Sequence, residues 1–256
     1  MKIKYEVKTL DDWKKYFPPA GGDSQWRDGY SAKELAKIVL DYYKDVKFEE
    51  ELKKVFHHNF SLIPEDVYPE HLSQFDNDWH GPRHHDLACI GNLDGKKIAL
   101  CFEAKVFESL DVRLRSYAGN SNGRTLRRDK LCSILFKSDY SHEKFGKIYY
   151  QLMSSIAGTV AFAAENKLED AYFIVYQIIP AKNNDELEIK NKKIKSHKDA
   201  LIDFLHCMNI DVKNIKSGSI IHLGEIQIER EKDNKKMAAN VHLVYVEQNV
   251  SGERLD

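Results

Sequence analysis

The stretch HHDLACIGNLDGKKIALCFEAKV, residues 84–106, decides how this chain is read. Two apolar runs flank Asp94-Gly95, a dipeptide suited to a type I′ hairpin turn because both turn positions need φ > 0. With those two residues as the loop, Leu93 faces Lys96, Ile90 faces Ala99 and Asp86 faces Glu103. Alternation puts Leu87, Cys89, Leu93, Ile98, Leu100 and Phe102 on one face. The other face carries Asp86, Ala88, Ile90, Ala99, Cys101 and Glu103, with Lys105 one step further out. Both faces are apolar through the middle. The hairpin therefore reads as a ribbon of a central sheet whose charges sit at its rim.

Directly opposed residues have Cβ atoms roughly 4.5–5.5 Å apart, and two carboxylates at that spacing repel unless a cation or a proton lies between them. Metal-assisted phosphodiester hydrolysis wants this arrangement. Two carboxylates suit Mg²⁺, a hard cation that takes oxygen ligands and keeps several waters. The metal polarises phosphate and acidifies a bound water. A neighbouring ammonium orients that water or stabilises developing charge. Asp86 and Glu103 are the candidate ligands, with the carbonyl of Ala104 as a further one, and Lys105 is the candidate ammonium.

Around the hairpin the pattern predicts an α/β chain with a central mixed sheet flanked by helices. SAKELAKIVL, residues 31–40, has helical spacing, with Ser31 and Glu34 placed for a capping box. FEEELKKVF, residues 48–56, is a second helix. Residues 61–83 hold three of the six prolines and read as loop. Residues 111–125 are rich in Gly, Asn and Ser and read as a mobile loop, followed by a helix in TLRRDKLCSILF. GKIYYQLMSSIAGTVAFAAENK is the clearest helix, and DAYFIVYQII a buried strand. Residues 181–197 read as a charged surface connection, KDALIDFLHCMNI as a helix, and the segments 218–230 and 240–248 as strands about a polar turn. One domain is expected over 1–256, with an arm at 1–30, a core at 31–180 and an extension at 181–256.

Acid, hairpin, then Glu103-Ala104-Lys105 resembles the PD-(D/E)XK nuclease superfamily, which includes many restriction endonucleases. Asp86 matches the first acid, and His85 stands where the motif has proline, a position that varies widely in the superfamily. The helix upstream, and the helix and strand downstream, fit an α-β-β-β-α-β core over residues 31–180. SAKELAKIVL, IPE, FEAKV and YYQLMSSIAGTVAFAAE look more narrowly like a bacterial branch of restriction-endonuclease-like proteins. The resemblance implies a restriction-endonuclease-like fold and a Mg²⁺-dependent endonuclease, with Mn²⁺ as a substitute. It implies a DNA substrate, expected to be double-stranded, and a setting in restriction or phage defence. Many such enzymes pair as homodimers to cut two strands. Such enzymes often recruit another acid from the first helix or the loop after it. Glu49, Glu50 and Glu51 are candidates on a face that reads as solvated, and Glu65 is preferred. They also place a polar residue at the start of the long helix, here Gln151. His84 shares the alternating face of Asp86 and reads as a rim histidine.

The net charge of -1 excludes a general attraction to polyanions, so nucleic acid needs a local patch. Between Asp111 and Lys130 lie Arg113, Arg115, Arg124, Arg127, Arg128 and Lys130 against two acids, which reads as a phosphate-gripping loop. The run KNKKIKSHK, residues 190–198, is also basic. Cys89, Cys101, Cys132 and Cys207 form no CxxC pair, which points to a reducing, cytoplasmic compartment. No run of about 18 apolar residues suggests a membrane span. Two other readings stay open: a catalytically inactive nucleic-acid-binding or assembly module on the same fold, and an interaction domain whose hairpin charges form a surface ion network.

Overall fold

Asp94 and Gly95 take φ of 53° and 83°, the left-handed pair that the turn requires. The Asn92 side chain accepts from the Gly95 amide at 2.9 Å, and Asn59 donates to Asp94 at 2.7 Å. This turn sets the pairing of β2 (Arg83–Leu93) with β3 (Lys96–Lys105), which runs from Leu93↔Lys96 to Leu87↔Phe102 in the expected register. The computed structural model describes residues 7–43, 46–57, 59–77, 81–180 and 187–250, apart from the side chains of 64, 65 and 187–190.

The described residues form an α/β fold around a six-stranded mixed sheet, in the order β1-β2-β3-β4-β6-β5. β1 is Phe60–Ser73, β4 Asp170–Pro180, β5 Ser219–Arg230 and β6 Lys235–Val250. The pairs β1/β2, β2/β3 and β5/β6 are antiparallel, and β3/β4 and β4/β6 are parallel. A parallel neighbour demands a crossover. Between β3 and β4 it is made by α4 (Leu114–Tyr117), α5 (Asn122–Phe136), α6 (His142–Phe145) and α7 (Tyr150–Glu165). α7 lies buried on one face of the sheet, among Ala88, Ile90, Ala99 and Cys101, with α5 and α8 (Leu187–Cys207) beside it. On the opposite face α1 (Leu10–Tyr16), α2 (Ser31–Val39) and α3 (Phe48–Phe56) cover Leu87, Cys89, Leu100 and Phe102. The helix–three-strand–helix–strand order is present, and the two hairpin faces divide as alternation predicts.

Several expectations are corrected. Residues 61–83 are not mostly loop, because Pro64 and Pro69 lie in β1. That strand is an edge of the sheet, where a missing N–H is tolerated, and it carries an irregularity between Leu62 and Val67. The C-terminal strands join the central sheet, since Asn240–Val250 of β6 pair with the whole of β4. The charged connection is helical from Leu187, its buried side anchored by His197, Leu201, Phe204 and Leu205. The Ser31–Glu34 capping box does not form. Tyr30 is the N-cap, the Ser31 amide donates to Glu108, and Glu34 is buried against Lys37 at 2.7 Å. Residues 111–125 are largely folded into α4 and the first turn of α5, which Ser121 caps through the Arg124 amide. All four cysteines are free, and among the described residues no helix is long and apolar enough to cross a membrane.

The basic loop is corrected with it. Arg127 is only 2% exposed. Its guanidinium grips Asp76 at 2.5 and 2.7 Å, donates to the Gly81 carbonyl at 2.7 Å and reaches the Tyr150 hydroxyl at 3.2 Å. A guanidinium so satisfied is a structural clasp and cannot meet a phosphate. Breaking a buried pair from one side leaves an uncompensated charge, at a cost of about 3–5 kcal/mol. Asp76→Ala is therefore expected to lose about that much stability in urea denaturation. A loss below about 1 kcal/mol would show that water replaces the pair.

Candidate active site

β2 and β3 part company at the rim, and their pairing stops one step short of Asp86 and Glu103. There the Asp86 carboxylate turns to accept the Ala104 amide at 2.7 Å. Glu103, 2% exposed, is held from three sides. Lys105 Nζ lies 2.8 Å from Oε1, Gln151 Nε2 donates to the same oxygen at 2.7 Å, and Arg83 clamps Oε2. Gln151 stands on the first turn of α7, and its own Oε1 accepts the Asp111 amide at 3.3 Å. Asp86, Glu103, Lys105 and Gln151 thus converge on one cleft of about 310 Å³.

Two further residues belong to it. Glu70 stands between Pro69 and His71, which pair with Leu87 and His85, so it faces Asp86 across β1 and β2. It adopts φ of 49°, a region that non-glycine residues rarely enter and that is found concentrated at functional sites. His84 Nδ1 lies 3.3 Å from its carboxylate. Glu70 is hidden from a sequence reading that takes residues 61–83 as loop. The signal becomes legible only once β1 is paired with β2. The side chain of Glu65, the acid preferred from sequence, lies outside the described residues. Glu49, Glu50 and Glu51 pair instead with Lys53 and Lys54 along α3. Arg83 is the second unforeseen member. Strict alternation does not aim it at Glu103, but the close approach of α7 at Gly158 gives it and His85 room. Pro19, Ala20, Gln25 and Tyr30 of the N-terminal arm form the other wall of the cleft.

The charges are unevenly matched. Burial and the neighbouring Glu103 push the Asp86 carboxyl well above the usual range. Burial, and Glu103 behind it, also raise Glu70, against the opposing pull of His84. Burial would raise Glu103 too, but Lys105 and Arg83 overcome it and hold the group low. Lys105 is raised although burial opposes it, because Glu103 and Asp86 favour its charge. Glu103 therefore has a surplus of positive neighbours and Asp86 a deficit. Among the described residues no group of three or more His, Cys, Asp and Glu side chains is gathered to hold a metal ion.

The basic residues singled out from sequence do not gather here. Arg113 lies over the Tyr149 ring at 4.6 Å and donates to the Lys147 carbonyl. Arg115 is exposed on α4, and Arg124 lies over Tyr117. Arg128 stacks on Tyr140 at 3.8 Å and pairs with Asp129. Lys130 reaches across to Glu229 and Glu231 at the β5–β6 turn.

The chain matches, over residues 6–249, the protein family described as a domain of unknown function (DUF6946), and it belongs to that family. No curated protein and no solved structure matches it.

Two variants probe this geometry. A Cβ at Gly158 would lie 2.5 Å from His85 Nε2 and 2.8 Å from Arg83 Cγ. Gly158→Ala is expected to lose about 1–3 kcal/mol by overpacking, despite the helix preference of alanine. A melting temperature at or above that of the parent would show that His85 swings aside freely. Asp86→Asn keeps the acceptor for Ala104 and removes the repulsion. The folded pKa of Asp86 is raised, so stability falls as pH climbs from the unfolded value of 3.8. The variant is expected to gain about 1 kcal/mol at neutral pH and to lose that advantage below pH about 4. An equal melting temperature at both pH values would remove the proposed strain.

Proposed function

We propose that this member of the DUF6946 family is a metal-dependent nuclease of the PD-(D/E)XK superfamily, acting on DNA, with restriction or phage defence as its setting. The observation that carries the reading is the convergence of Asp86, Glu103, Lys105 and Gln151 with Glu70 in one cleft at the rim of a mixed sheet. A convergence of perturbed titratable groups in a cleft is a mark of catalytic sites. A cytoplasmic setting and pairing of two copies to cut both strands belong to the same proposal.

A magnesium ion, or manganese in its place, fits the donor set. Asp86 and Glu103 offer hard oxygens, with the Ala104 carbonyl next to Glu103 in sequence and Glu70 nearby, and the raised Asp86 carboxyl is in want of positive charge. When bound, such an ion would supply Lewis-acid activation of phosphate and water. Asp86 and Glu103 would hold the ion. Lys105, charged and 7% exposed, aligns the attacking water and steadies the charge that grows on phosphate. Gln151 holds Glu103 in orientation. Water attacks phosphorus, the P–O bond to the leaving oxygen breaks, and a phosphate monoester and a hydroxyl remain. Arg83 clamps Oε2 of Glu103 and would have to yield some of that contact to a bound ion.

This last point favours a second reading, an inactive binding module on the same fold, because Arg83, Lys105 and Gln151 already satisfy both oxygens of Glu103. Plasmid nicking with Mg²⁺ against EDTA separates the two. The parent is expected to nick only with Mg²⁺, and Lys105→Ala to lose about 10²-fold or more in rate. Equal cleavage by the variant, or cleavage in EDTA, would sink the assignment. A parent that never cuts but still gains thermal stability from Mg²⁺ would leave the binding module.

A further inference from the structure

A second groove, of about 360 Å³, adjoins the first and takes its cations from three separate places in the chain. Arg113 follows β3, Lys147 precedes α7, and Lys192 and Lys195 lie three residues apart on α8. The lysines are exposed, and among the described residues none of the three is within ion-pairing distance of an acid. Asp199 and Asp203 line the groove two and three turns along α8 from Lys192. Its positive character is therefore concentrated toward the start of that helix.

The two grooves share a backbone connection. Arg113 pairs with Tyr149 as an isolated bridge, the Tyr150 amide donates to Val112 O, and the Leu114 amide donates to Ile148 O. Two residues before Arg113 and two after Tyr149 stand Asp111 and Gln151, and both line the candidate cleft. Two residues of backbone span at most about 7 Å, and the Asp111 amide donates to Gln151 Oε1 at 3.3 Å, so the Arg113 end of the basic groove begins close beside the Gln151 end of the cleft. α8 is fastened to the catalytic strand as well. His197 lies 2.8 Å from Gln177 Oε1 and 2.9 Å from the Glu108 carbonyl, while Gln177 donates to the carbonyls of Lys105 and Val106. The helical face carrying Lys192 and Lys195 is thus held in place beside the site.

We infer that this groove is the track of the substrate's phosphodiester backbone: Arg113, Lys147, Lys192 and Lys195 grip phosphates of the strand that passes over Asp86 and Glu103. The inference rests on the nuclease reading and names the surface that serves it. Separate cations fixed along a groove neutralise successive phosphates and carry no sequence information, which is what a positioning surface needs. It also gives the basic run of residues 190–198 a place, and it replaces the Arg124–Lys130 stretch as the principal grip. Local density supplies what the net charge of -1 withholds.

The test is binding of a fluorescein-labelled 20-base-pair DNA duplex in EDTA, followed by anisotropy across a salt series, together with cleavage kinetics in Mg²⁺. The proteins are the full-length parent, Lys192→Ala/Lys195→Ala, and Lys96→Ala/Lys97→Ala at the exposed tip of the hairpin as a control of equal charge. Loss of the two track lysines is expected to weaken binding tenfold or more at moderate salt. It should flatten the slope of log K against log salt by about 1.8, near 0.9 for each lost phosphate contact. In cleavage, KM should rise with kcat little changed. The tip control should stay within twofold. A track variant that binds and cleaves like the parent overturns the track and leaves the nuclease standing. Equal weakening by track and control variants also overturns it, since general charge would then explain the effect. A parent that neither binds nor cuts the duplex overturns the nuclease reading and the track with it.

Discussion

Everything at the rim depends on a constraint at the other end of the hairpin, the two consecutive left-handed residues Asp94 and Gly95. Side chains alternate along a strand, so a slip of one residue would send every one of them to the wrong face. Leu100 and Phe102 would leave the layer packed by α2 and α3, and Glu103 would turn away from α7. The apolar core and the acid cluster are therefore specified by the same register. A chain that pairs β2 with β3 well enough to bury both faces has no choice about where its carboxylates go.

What it obtains there is an imbalance. Arg83, Lys105 and Gln151 over-serve Glu103, while Asp86 has the Ala104 amide and Glu70 has His84. Structural ion clusters tend toward closure, as the Asp76–Arg127 clasp does with a guanidinium, a carboxylate, a carbonyl and a hydroxyl mutually satisfied. The rim cluster is built differently. Two carboxylates whose neighbours leave them wanting positive charge sit beside a third that has too much. That contrast within one molecule is the electrostatic argument for treating the rim as a working site and the clasp as a structural one.

The legible part of the sequence was the local part. Gln151 was reached only through the family resemblance, whereas Asp86, Glu103 and Lys105 followed from a turn and an alternation. These are relations within a few residues or across one hairpin. Glu70 depended on β1 pairing with β2, which its prolines disguised until the strand proved to be an edge. Arg83 depended on how closely α7 approaches at Gly158. Arg127 shows the same limit from the other side. Its charge was plain, but its partner Asp76 lies 51 residues away, and only the fold decides whether a guanidinium meets solvent or a buried carboxylate. The placement of β6 beside β4 was likewise a long-range pairing that alternation alone does not specify.

The same distinction bears on how catalysis and binding would be coupled. Gln177 is a residue of β4, fully buried, and it touches both the end of β3 and His197 of α8. Glu108 extends the joint, since its carboxylate accepts the amides of Val106, Phe107 and Ser31 while its carbonyl meets His197. The strand that presents Glu103 and Lys105, the helix that presents Lys192 and Lys195, and the first residue of α2 are thus bonded to one another through two side chains. Groups that must act on one phosphate while holding its neighbours need fixed relative positions, because a misplacement of about 1 Å can cost a hundredfold in rate. A buried amide and a carboxylate fully occupied by backbone supply that rigidity without adding another charge to an already crowded rim.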